Sequence, residues 1–123
     1  MLQFSAAQMQ AVRANRLRIF EQEMIAHALA FAPQGCAELG ESGTADLVRK
    51  ALRVAEAHGF DLRGPARLVV ELALLYGSDF LHQRRCAGLA ALMRSERDQM
   101  HRAEEMYAWA MDESNAPRSE VLA

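Results

Sequence analysis

Strand-forming material is what this chain most clearly lacks. Neither a period-two alternation nor a cluster of Val, Ile and Thr occurs along its 123 residues, which argues against a sheet-based fold. Cysteine is nearly absent: Cys36 and Cys86 make no disulfide framework, and each sits in an Ala-rich, apolar setting as a small core residue. Three prolines and seven glycines are few, and they stand where helices start and stop. No charge of one sign dominates: the net charge is −2, so no overall field draws the chain toward nucleic acid or anionic lipid. The longest apolar run, residues 66–76, is shorter than the roughly 20 residues a membrane span needs. Met1 to Gln10 has neither a basic start nor a continuous apolar stretch. No signal peptide and no membrane insertion are therefore expected, with the cytoplasm as the location.

What is present is helical periodicity. Ser5 and Gln8 have capping-box spacing, and Phe4 with Met9 can form a hydrophobic staple across that start. Met9, Leu17, Phe20, Met24, Ala28 and Phe31 follow as one apolar stripe, and Pro33 stops the helix near Phe31. Residues 33–44 read as a connector with one short turn around Cys36 to Leu39. Thr44 then caps a second helix whose buried face is Leu47, Val48, Ala51, Leu52 and Ala55, ended by Gly59. A central helix spans residues 66–76 and is apolar on almost every side, so it belongs inside the protein. A fourth helix covers Cys86 to Met93. Ser95 and Asp98 offer restarts for a fifth, or the two run on as one helix, with Met100, Ala103, Met106, Tyr107 and Ala110 on one face. The expected fold class is all-α, a compact bundle of four to five helices around the central one. Residues 1–113 form a single domain and residues 114–123 a flexible C-terminal tail.

Few constellations here carry chemistry. Glu23 with His27, and Asp98 with His101, place acid and imidazole within one helical turn. A carboxylate-bridged metal site in a bundle needs four inward acids and two Glu-x-x-His pairs, which are missing. The histidines read as solvated or capping groups, and no metal or cofactor is expected. Glu71, in the middle of the central helix, faces a groove, pairs with an Arg of the first two helices, or anchors a partner. It lacks the second acid or nucleophile that catalysis would require. Helix–Gly–helix spacing from Thr44 to Tyr76 suggests a helix-turn-helix, but its second helix is too apolar to lie in a DNA groove, so no nucleic-acid partner is expected. The Met-rich last helix, with Tyr107 and Trp109, is either core filler or an adaptable contact surface.

Several short motifs occur in a fixed order: Gln8-Met9, Leu17-Arg18-x-Phe20-Glu21-x-x-Met24-x-x-His27, Cys36-Ala37-x-Leu39-Gly40, Ala57-His58-Gly59 and Tyr76-Gly77-x-Asp79-Phe80. In this order, over residues 5–80, the chain resembles small helical proteins encoded beside type VI secretion effectors and their adaptors in Gram-negative bacteria. It departs from that pattern at Ser78, where the family has Pro, and in lacking a Pro-Trp segment further on.

The resemblance implies a non-enzymatic protein-binding accessory factor acting as effector chaperone, adaptor or immunity protein, with another protein, such as a secretion effector, as partner. Residues for such contacts are Arg16, Phe20 and Glu23 on the first helix, Glu71, the Asp79–Phe80 corner, and Tyr107 with Trp109. Two alternatives stand beside it. One is a structural homodimer through the long first helix. The other is a small enzyme or ligand-binding protein using Glu71 with a histidine.

Overall fold

The computed structural model describes residue 3 and residues 5–117. Phe4, half of the expected staple, and residues 118–123 of the expected tail lie outside the described residues. Five α-helices make up the fold and no strand occurs among the described residues: α1 (Ala6–Phe31), α2 (Pro33–Ala57), α3 (Arg63–Tyr76), α4 (Ala87–Met93) and α5 (Gln99–Met111). Short 3-10 turns at Phe80–His82 and Arg84–Cys86 link α3 to α4, and another at Glu113–Asn115 follows α5.

α1 starts at the expected capping box. The Gln8 backbone N–H donates to Ser5 Oγ at 3.1 Å, and the Ser5 N–H donates to Gln8 Oε1 at 2.7 Å. The helix ends where Pro33 opens α2, a first-turn position at which the missing proline N–H costs nothing. The predicted stripe is buried only in part. Met24 and Ala28 are buried and Phe20 is half-buried, whereas Met9, Leu17 and Phe31 are exposed.

Residues 33–44 are not a connector. They are helical, interrupted at Gly40, whose φ of 77° and ψ of 175° place it in backbone space that is essentially glycine's alone. Thr44 is not an N-cap either. Its hydroxyl donates back across the break to the Cys36 carbonyl at 3.3 Å, and Cys36 Sγ donates to the Ala28 carbonyl at 3.3 Å. Small buried residues thus let α1 and α2 approach closely, and each polar atom there finds a backbone partner. This satisfies the requirement that buried hydroxyls be hydrogen-bonded.

α3 is the most buried element, with Ala66, Leu68, Val69, Val70, Leu72, Ala73, Leu74 and Tyr76 all enclosed. It packs against α2, α1 and α5. No side chain of its own caps its start; instead Gln99 of α5 reaches across, accepting from the Leu62 N–H at 3.0 Å and donating to Asp61 Oδ1 at 2.5 Å.

α4 and α5 are separate helices. Asp98 caps α5 by accepting from the His101 N–H at 2.9 Å. The buried face of α5 is narrower than expected: Ala103 and Met106 are enclosed, but Met100 and Tyr107 are exposed. Arg102 works from the same helix in a way the sequence did not suggest. Its Nη1 donates to the carbonyls of His58 and Met93 at 2.8 Å each, near the ends of α2 and α4, while its guanidinium lies 4.6 Å from the Phe60 ring centroid. Helix-end carbonyls lack intrahelical partners, so one cation here satisfies two of them.

Candidate protein-binding surface

α1, α2 and the turn between α2 and α3 enclose an open groove of about 600 Å³. Its apolar lining includes Leu17 and Phe20 from α1, Leu52 and Ala55 from α2, and Phe60 beyond them. Leu17, Phe20 and Asp61 also line a neighbouring cleft of about 530 Å³, together with Arg16, Ile19, Glu23 and Arg63. The two openings form one surface because α1 runs along both.

Charged pairs stiffen the rim. Arg49 Nε donates to Glu21 Oε1 at 2.8 Å, and that hydrogen bond, more than simple proximity, holds the guanidinium pKa above its ordinary value. Arg63 pairs with Glu23, and its guanidinium also lies 5.2 Å from the Phe20 centroid. Exposed pairs of this kind add little stability, but they fix where charge is presented.

Of the residues expected to contact a partner, Arg16, Phe20 and Glu23 meet at this surface. Glu71 does not. It is half-buried at the α1–α3 contact, where its Oε2 lies 2.7 Å from His27 Nε2. The expected arginine partner is a histidine instead, with its ring 5.8 Å from that of Phe31. Phe80 is 1% exposed and is a core residue, which removes it from any contact surface. Asp79 is exposed but accepts from Gln83 Nε2 at 2.8 Å. That same amide also donates to the Tyr76 carbonyl at 2.6 Å, closing the turn after α3.

Tyr107 is exposed at the far end of α5. Trp109 is half-buried and set edge-on to Tyr76 at 5.7 Å, with its indole over Gly88. Tyr76 also donates its hydroxyl to the Asn115 carbonyl at 2.8 Å, so Ser114 and Asn115, read from the sequence as the start of a tail, are held in a turn against α3. Burial raises the pKa of the Tyr76 phenol and of the neighbouring Cys86 thiol, so both stay protonated near neutral pH.

Among the described residues no three His, Cys, Asp or Glu side chains converge as a metal site would require. His101 is occupied with Asp98, 2.8 Å from its Oδ2. α3 is exposed only at Arg63, Gly64 and Arg67, and no described helix is long and apolar enough to cross a membrane. No family model, curated protein or solved structure matches this chain.

The feature that sequence reasoning missed lies on α1. Every residue from 5 to 19 is exposed, and none of them is buried by another described residue. Leu17 is 67% exposed and Ile19 51%. A signal was available: residues 6–19 contain Arg13, Arg16 and Arg18 but no acid, and Val12 and Ile19 fall off the core-facing stripe.

Proposed function

We propose that this chain is a non-enzymatic protein-binding accessory factor. In this reading a compact bundle about α3 is the rigid frame, and the α1–α2 groove receives an apolar segment of another protein. The resemblance to proteins accessory to type VI secretion supports a chaperone, adaptor or immunity role in the cytoplasm, with a secretion effector as partner. The observation that carries the reading is the exposure of Leu17 and Ile19 directly beside an apolar groove with charged rims. Exposed apolar area next to a concave surface is the common signature of a protein-contact site. The His27–Glu71 pair lines neither opening, which weighs against an enzyme built on Glu71. The test is affinity capture from the native host with the tagged full chain and with its Leu17→Asp variant. A stoichiometric partner held by the parent and lost by the equally stable variant supports the reading. Equal capture by both overturns it.

A further inference from the structure

The exposed half of α1 is a structural problem that the described residues do not solve. Residues 6–19 extend about 21 Å as helix. An uncovered helix of that length is marginal in water unless something packs on it. Its apolar side chains, Met9, Val12, Leu17 and Ile19, are between 36% and 67% exposed.

We propose that this arm docks on the groove of a second copy of the chain, giving a two-fold dimer in which the copies exchange arms. The proposal rests on the reading of the groove as a protein-contact site and names an occupant for it.

Two observations favour a second copy over an unrelated protein. The first is charge. The arm carries Arg13, Arg16 and Arg18 and no acid, whereas the rest of the described chain has more acid than base. The groove lining carries Arg49 and Arg53 against three acids, Glu21, Glu56 and Asp61, so it is negative by one charge. Glu21 is held by Arg49, while Glu56 and Asp61 take part in no ion pair among the described residues. They offer the complement the arm needs. The second is position. The arm ends at the lip of its own groove, whose lining takes in Leu17 of the arm and Phe20 just beyond it. A two-fold axis at that lip lets each arm enter the other copy's groove while each groove is filled, which closes the assembly at two.

Charge reversal tests this without disturbing the core. An arm variant carries Arg13→Glu with Arg16→Glu; a groove variant carries Glu56→Arg. All three positions are exposed, so circular dichroism and Tm should stay at the parent's values. Sedimentation equilibrium of the parent should give twice the mass of one copy, and either variant alone should dissociate about tenfold more readily. Mixing the arm variant with the groove variant should restore the dimer, because the reversed arm then meets the reversed groove. A parent that is monomeric at all concentrations overturns the proposal, and so does a dimer indifferent to these reversals. A monomeric parent that still captures a different protein through Leu17 overturns the arm exchange alone and leaves the accessory-factor reading standing.

Discussion

His27 Nε2 and Glu71 Oε2 lie 2.7 Å apart, joining the one long exposed helix to the most buried one. Both side chains are mostly enclosed, at 30% and 21% exposure, so removing one leaves the other poorly solvated. His27→Ala should therefore cost about 1–2 kcal/mol in urea unfolding. Glu71→Gln should cost less, because the amide oxygen can still accept from the ring. Neither change should alter partner capture, since the pair lies outside the groove. Loss of capture by a stable Glu71→Gln variant would place Glu71 in the contact surface after all.

Gly88 and Trp109 meet closely. A Cβ at position 88 would fall 2.7 Å from the indole Nε1, nearer than real contacts allow. Gly88→Ala should push the indole off Tyr76 and cost about 1–3 kcal/mol, as overpacking does. Trp109 is the single tryptophan, so its emission reports the displacement directly. A red-shifted spectrum with a lower Tm is expected. An unchanged spectrum would mean that α4 slides to accept the methyl group.

Gly40→Ala asks for a conformation that a side chain resists. The break in α2 should then shift or straighten, dislodging the Thr44 hydroxyl from the Cys36 carbonyl, at a cost of about 1–3 kcal/mol. Thr44→Val keeps the shape and removes only the hydroxyl. It should cost about 1 kcal/mol. Chemical denaturation of both variants separates backbone strain from hydrogen bonding; a neutral Gly40→Ala would show that the break is soft.

Asp98 sets an acid limit on α5. Hydrogen bonds from the His101 backbone and ring hold its carboxyl below the ordinary 3.8. The folded pKa is the lower one, so the unfolded chain binds its proton first on acidification. The contribution is whole above pH 3.8 and is lost as pH falls through the depressed folded value. Asp112, depressed by Ser114, acts with the same sign on the turn after α5. In Asp98→Ala the stability–pH curve should be flatter below that limit than in the parent. Parallel acid limbs would mean the cap contributes nothing.

These local features were also the legible ones. Ser5 with Gln8, Asp98 at the start of α5, and Gly59 and Gly77 at helix ends act over three or four residues, so spacing alone reveals them. The burial of residues 66–76 was legible for a similar reason, because a helix apolar on nearly all sides has no other place. Legibility failed where the partner is distant in sequence. Gly40 and Gly43 made residues 33–44 look like a loop, and the Cys36–Thr44 bond that ties the break together is tertiary in origin. Phe80 looked like an exposed corner because nothing nearby in sequence predicts its burial. Arg102 serves a carbonyl 44 residues away, and no motif announces that. At the candidate surface, Arg16, Phe20 and Glu23 could be placed on one helix, but not the clasp of Arg63 over Phe20.

Hydrogen exchange should divide α1 at Phe20. Amides of residues 6–19 are held only by helix hydrogen bonds open to water, so dilute protein should lose them by local fraying. Amides of α3 sit among buried neighbours and should open only with global unfolding. The expected pattern is fast exchange before Phe20, intermediate rates near Met24 and Ala28, and slow exchange through Val69 to Ala73. The gradient should also depend on concentration, because an arm covered by a second copy exchanges only after the pair separates. If the arm is as protected as α3 in the most dilute sample, its cover comes from within the chain, and arm exchange is excluded. If its protection grows with concentration while α3 stays constant, the arm is what the second copy covers.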